Sequence, residues 1–285
     1  MKKIKLNDLP KWTQWPDRLL GLSEWKAAKR TIDKVKKEYD DGKYSEILEY
    51  YMSKDHPLSP EEVRIHEYSY YNLYPDTKIC ISRGENLFET DLNSARKLLY
   101  NFLRDVLSKC TKRVDHIFEL GCGHGYNLWR LHKIAPNIKY TGGEFSENAV
   151  SLANHLYKSD PNLNVVRFNF YDQVYEILEA LEKPAVIFTF HAVEQLPSAK
   201  HFLTVLSKYR DRIDRVYHFE PVYEFYDETL FGMMRRRYTQ INDYNRDLLF
   251  ELKSREDKIR IVDQKENVIG LNPLNPLSLI EWTFI

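Results

Sequence analysis

The sequence has only three cysteines, Cys80, Cys110 and Cys122, too few and too scattered for a disulfide framework or a zinc site. That usage fits a reducing compartment and predicts a cytoplasmic protein. Net charge is missing too. Lys+Arg and Asp+Glu each total 42, so the formal charge is zero and nothing global attracts nucleic acid or an anionic membrane. No apolar run approaches the roughly twenty residues of a membrane helix. The basic start Met1-Lys2-Lys3-Ile4-Lys5 is followed by Asn7, Asp8, Pro10 and Lys11, which interrupt any apolar signal segment. The expectation is a soluble protein whose partner is a small molecule or carbohydrate, with neither membrane nor nucleic acid; its oligomeric state is open.

What is present is organised around Phe118-Glu-Leu-Gly-Cys-Gly-His-Gly-Tyr-Asn127. A short β-branched run, Val114 to Ile117, precedes it, and Leu128-Trp-Arg-Leu-His132 follows with helical spacing. Strand, glycine turn and helix follow in that order. Gly121, Gly123 and Gly125 suit a turn with unusual φ values that leaves room for a ligand against the backbone, and the next helix opens with free N–H groups toward the same crevice. Ile138 to Ser146 reads as a second strand ending in Glu144. That acid lies about twenty residues beyond the turn, where a nucleotide-binding βαβ unit keeps its ribose-binding carboxylate. Ser146 equally suits the cap of a helix over Glu147 to Tyr157.

Read as Glu-x-Gly-x-Gly-x-Gly, the turn departs from the dinucleotide fingerprint. It resembles motif I of the class I S-adenosylmethionine-dependent methyltransferases, and the resemblance extends over roughly residues 95–285. It implies a Rossmann-like α/β fold, a seven-stranded sheet with an N-terminal helical cap, divided as 1–94 and 95–285. It also implies S-adenosylmethionine as cofactor, held by Glu119, Gly121, Cys122, Gly123, Gly125, Asn127, Glu144, Phe145, Asn169, Phe170, Tyr171 and His191. Glu119 would fix the methionine end, Glu144 the ribose, and Asn169 with Phe170 the adenine; Cys122 carries no chemistry of its own.

The remaining stations follow by alternation. Leu163–Phe170 and Ala185–Phe190 are the third and fourth strands, and the latter runs into His191-Ala-Val-Glu-Gln-Leu-Pro197. This loop looks like the family's His-x-x-Glu-His-Leu, with Gln195 in place of the second histidine, so no role of that histidine transfers. Ser198–Tyr209 reads as a helix, Arg215–Pro221 as a fifth strand, Val222–Arg237 as an aromatic and methionine-rich insertion, and Gln240–Arg255 as a helix. Ile259–Val262 and Leu279–Phe284 complete the sheet.

Residues 1–94 differ in character. Trp12, Trp15, Leu19, Leu20, Leu22 and Trp25 read as an aromatic anchor, and Glu24–Lys54 as one or two amphipathic helices whose charges face solvent. Pro60 with Glu61–His66 starts another helix, and Asp91–Cys110 has the pattern of the helix before the first main strand. Tyr70, Tyr71, Arg83, Tyr223 and Arg236 are the candidate substrate contacts. The arginines Arg235 to Arg237 suit either a solvated helix start or an anionic acceptor.

Methylation of a hydroxyl needs a general base near the methyl group. His191 and His218, each near the carboxyl end of a strand, are the candidates, with Glu194 and Glu220 to orient them or act directly. No metal ligands are assigned: Asp172 follows the third strand, but the carboxylate and asparagine set of the metal-dependent catechol type is missing. Also missing is the Asn-Pro-Pro-Tyr or Asp-Pro-Pro-Tyr sequence of many DNA and protein amino-methyltransferases. Gly270-Leu-Asn-Pro-Leu-Asn-Pro-Leu-Ser278 and the N-terminal extension are similar to sugar O-methyltransferases of bacterial capsule and surface-polysaccharide loci. That resemblance implies a sugar, or a phosphorylated or phosphoramidate precursor, as acceptor. RNA or protein methylation, and a non-catalytic cofactor-binding scaffold partnering another enzyme, stay open.

Overall fold

The computed structural model describes residues 1–25, 29–179 and 181–285. Its main sheet is built from β4 (His116–Leu120), β5 (Lys139–Glu144), β6 (Leu163–Arg167), β7 (Ala185–Phe190), β8 (Ile213–Glu220), β9 (Ile259–Ile269) and β10 (Leu277–Phe284), in the order β6-β5-β4-β7-β8-β10-β9. The first five strands are parallel and β10 enters antiparallel between β8 and β9. This is the Rossmann-like sheet of the class I methyltransferases, with its reversed last strand.

Alternation along each strand feeds two cores, one per face. Phe118, Leu120, Ile187, Val216 and Trp282 pack on one side, and Ile117, Val186, Phe188, Phe219 and Leu279 on the other. A strand buried on both faces reads as continuous apolar sequence, which made β4 and β7 legible. The order reverses between β4 and β7, so a crevice opens there at the strands' carboxyl ends.

Three C-terminal elements differ from expectation. The stretch read as an insertion is a helix, Leu230–Ile241, capped by Thr229, whose side chain accepts from the Gly232 N–H. The helix expected over Gln240–Arg255 begins only at Leu248, because Asn242 ends the first helix and Asp243 turns the chain at φ +53°. Strand β9 continues seven residues past Val262. As an edge strand it is solvated along one side, so its polar residues masked the β pattern.

Residues before the main sheet are not helical alone. β1 (Lys2–Ile4), β2 (Lys78–Arg83) and β3 (Asn86–Asp91) form an antiparallel sheet, tied to the main domain by a bridge between Ser82 and Gly270. Helical structure runs from Ile32 to Met52 and includes a π-helical segment, Lys36–Tyr44; residues 26–28 of the stretch read as helix lie outside the described residues. Pro60–Ser69 follows with a capping box of Ser59 and Glu62. The charged face expected to be solvated is partly inward. Asp40 accepts from the Ser146 hydroxyl at 2.7 Å and the Asn148 N–H at 3.0 Å, fastening the π-helical turn onto the helix that follows Glu144. Trp15 does anchor, edge-on to Trp25 and Tyr238, but Leu20 and Leu22 are exposed and take no part.

Candidate functional site

A cavity of about 400 Å³ lies at the carboxyl ends of β4, β5 and β7. Its floor is the glycine turn, one side is the loop after β7, another the β9–β10 connection, and its roof comes from the N-terminal helices. Of the residues expected to bind cofactor, all but Gly125 line it: Glu119, Gly121, Cys122, Gly123, Asn127, Glu144, Phe145, Asn169, Phe170, Tyr171 and His191. Gly125 instead caps the helix Tyr126–His132 and packs against Val165 and Tyr157.

Positive φ values of 79° at Gly121 and 58° at Gly123 let the turn fold back on itself. A Cβ on Gly121 would sit 2.4 Å from that of Ala192, and one on Gly123 2.2 Å from the Tyr44 hydroxyl. We therefore expect Gly121→Ala to lower stability by about 2–5 kcal/mol, combining left-handed strain with overpacking. Chemical denaturation tests this; an unchanged midpoint would mean that the Ala192 loop yields freely.

Two buried acids flank the turn. Glu144 Oε2 accepts from the Gly123 N–H at 2.7 Å and Oε1 from the Ser146 N–H at 2.8 Å, so the carboxylate is oriented by backbone while keeping lone pairs for a ligand. Burial raises its pKa against those stabilising N–H groups. Glu119 Oε1 accepts from the Asn127 amide at 2.6 Å, whereas Oε2 has no partner among the described residues. Burial pushes Glu119 up to about 8.

The roof carries charges, and one of them, Lys43, belongs to the face expected to meet solvent. Glu67 is paired with both Lys43 and Arg64, and His124 Nδ1 lies 3.9 Å away. Burial works against the Glu67 carboxylate, but the two cations hold its pKa far below the usual range. Burial drops His124 to about 4, leaving a neutral ring whose Nε2 is unpartnered among the described residues. The available signal was weak: Tyr39 with Lys43, and Arg64 with Glu67, recur at helical spacing and share a face.

At the end of β7, His191 adopts φ +51°, a costly conformation for a non-glycine residue. Its Nδ1 lies 3.3 Å from Glu194 Oε2. Burial disfavours the charged ring, yet the adjacent Glu194 carboxylate outweighs it and raises the His191 pKa. Glu220 holds this loop rather than entering the cavity: its carboxylate accepts from the N–H groups of Ala192, Val193 and Glu194 at 3.0–3.2 Å. Burial lifts Glu220 to about 7.

His218 is corrected by the structure. It is fully buried, bonded to Thr189 Oγ1 at 2.9 Å and packed between Phe202 and Trp282. Burial lowers it to about 3. It lies two residues inside the strand end and faces the core, so it is not a base candidate. Among the substrate candidates only Tyr71 lines the cavity. Tyr70 and Arg83 are exposed, Tyr223 accepts from Gln240, and Arg236 donates to the Tyr226 carbonyl. Arg235, far from solvated, is fully buried against Glu85, the Gly84 carbonyl and the Pro273 carbonyl.

No family model matches the chain, and no curated protein matches it. Solved structures similar to it include the geranyl diphosphate C-methyltransferase from Streptomyces coelicolor A3(2), in complex with Mg2+, geranyl diphosphate and S-adenosyl-L-homocysteine. That match has 11% identity and a TM-score of 0.48, over 68% of this chain and 81% of that one. The plantazolicin methyltransferase BpumL, solved with a triazolic desmethylPZN analog and SAH, has 14% identity and a TM-score of 0.47, over 85% of this chain and 98% of that one. Magnesium protoporphyrin IX methyltransferase from Synechocystis PCC 6803, with bound SAH, has 11% identity and a TM-score of 0.47, over 67% and 84%.

Proposed function

We propose that this protein is an S-adenosylmethionine-dependent methyltransferase acting on a hydroxyl of a small polar acceptor. A sugar, or a phosphorylated or phosphoramidate precursor of a capsule or surface polysaccharide, is the acceptor class we favour. The observation that carries the reading is the placement of Glu119, Glu144 and His191 around one cavity over a left-handed glycine turn. The unpartnered Glu119 Oε2 suits an ammonium group, and the pre-oriented Glu144 carboxylate suits vicinal hydroxyls, so the residues fit the cofactor's two ends.

The cofactor, when bound, supplies an electrophilic methyl group on a sulfonium. The chain's own work is positioning and proton transfer. His191 Nε2 takes the proton of the acceptor hydroxyl, while Glu194 on Nδ1 fixes the ring tautomer and favours the imidazolium. The roof helices and Phe170 line the crevice beside the glycine turn.

Calorimetric titration with S-adenosylmethionine at pH 7, in buffers of different ionisation enthalpy, tests this. We expect micromolar binding with release of up to one proton, because an ammonium beside Glu119 favours its ionised form below its pKa of about 8. The sign agrees with stability: without ligand, a carboxyl held above its unfolded pKa weakens the fold as pH rises toward 8. No binding would end the methyltransferase reading.

A further inference from the structure

We propose that Gln195 and Asn275 form a hydroxyl-reading subsite beside His191, which takes the hydrogen-bond donors of a polyhydroxylated acceptor. The inference rests on the methyl-transfer reading and narrows its acceptor.

Glu194 is the hub of this arrangement. Its Oε1 accepts from the Gln195 amide at 3.0 Å, and its Oε2 accepts from the Asn275 amide at 2.9 Å beside His191. A carboxylate can only accept, so the chemistry fixes which way both amides point. Each NH2 group turns to Glu194 and each carbonyl oxygen turns away. Both carbonyls, Gln195 Oε1 and Asn275 Oδ1, are buried without a partner among the described residues, and Gln195 as a whole is only 9% exposed. Folded proteins rarely leave such groups unmet, and here two share one cavity wall and one carboxylate.

Only a donor satisfies an orphaned carbonyl. A hydroxyl or amino group fits, whereas a carboxylate or phosphate oxygen would face lone pairs with the Glu194 charge behind them. A polyol offers several donors on adjacent carbons, one to lose its proton to His191 and others to be read by Gln195 and Asn275. The rings of Tyr39 and Tyr71 line the same cavity and offer flat apolar surface for the carbon face of such a ligand. The subsite also accounts for Asn272-Pro-Leu-Asn-Pro276. Asn272 accepts from the Leu274 N–H at 3.1 Å, forming the turn that delivers Asn275 to Glu194.

The test uses the full chain with and without saturating S-adenosylhomocysteine. Methyl α-glucoside, methyl β-galactoside and myo-inositol are compared with acetate and methyl phosphate by saturation-transfer NMR and competition. We expect at least one neutral polyol to bind, neither anion to displace it at equal concentration, and Gln195→Met and Asn275→Leu each to weaken it at least tenfold. S-adenosylhomocysteine affinity should stay within threefold in both variants, which also reports that they fold. Polyol binding that is absent, unaffected by both variants or displaced equally by the anions would overturn the proposal. The wild-type competition decides this even if a variant fails to fold. Loss of S-adenosylhomocysteine binding in the wild type would instead sink the methyl-transfer reading, and the polyol arm without it would still decide the subsite.

Discussion

Glu144→Ala is expected to weaken S-adenosylmethionine binding by about 10²- to 10⁴-fold, measured by calorimetry. The estimate comes from two hydrogen bonds to a charged acceptor, each worth about 1.5–3 kcal/mol, offered to a pair of ribose hydroxyls. Glu144 is suited to this because the Gly123 and Ser146 N–H groups already hold its carboxylate, so little ordering remains to be done on binding. The same substitution also frees the Gly123 N–H and loosens the turn. Glu144→Gln separates the two effects, since its amide retains an oxygen to accept one backbone N–H but offers only one acceptor atom. We expect it to bind between wild type and alanine. Equal affinity in wild type and Glu144→Ala would remove the ribose assignment.

His191→Ala is expected to cut turnover by about 10²- to 10⁴-fold, the usual range for loss of a positioned general base. S-adenosylhomocysteine affinity should fall far less than turnover, because Glu119 and Glu144 supply the polar contacts to the cofactor's two ends. The pH profile gives a sharper reading. The base must be neutral to act, and Glu194 raises its pKa above the ordinary 6.5, so the acid limb of kcat should have its midpoint above 6.5. Glu194→Gln removes that carboxylate and should move the limb to lower pH while reducing turnover. For stability the sign is the usual one for a raised histidine: the His191–Glu194 pair stabilises fully below pH 6.5, and the contribution fades as pH rises through the folded pKa. A flat kcat profile between pH 5.5 and 8, with His191→Ala fully active, would dismiss the base.

The main sheet and the glycine turn beneath the cavity were legible in the sequence because local chemistry dictates them. A doubly buried strand is apolar along its length, a left-handed turn demands glycine at Gly121 and Gly123, and an acid at the end of β5 needs no distant partner to be recognised. Thus Glu144 could be named from its spacing to the turn, while Glu119 and His191 were named through the resemblance that the turn carries. The two histidines separate the cases. His191 and His218 look alike in sequence, each near a strand end, but one enters a strained loop above the cavity while the other faces Trp282 in the core. A displacement of one residue along a strand changes which face a side chain meets, and where the strand ends against β7 and β10 is decided by their register with β8.

What tertiary structure alone decided is where distant segments meet. The sequence places Lys43 on a helical face whose charges meet solvent, and it says nothing of Arg64 and Glu67, yet all three line the roof of the cavity. Arg235, which suits a solvated helix start or an anionic acceptor by sequence, is enclosed against Glu85, 150 residues away in the chain. Asn275 reaches Glu194 across 81 residues, and nothing local to either position signals the contact. Propensity and periodicity report a residue's own backbone and burial. Contacts between segments depend on how the roof and the β9–β10 connection close over the sheet, and that is fixed by packing of the whole chain.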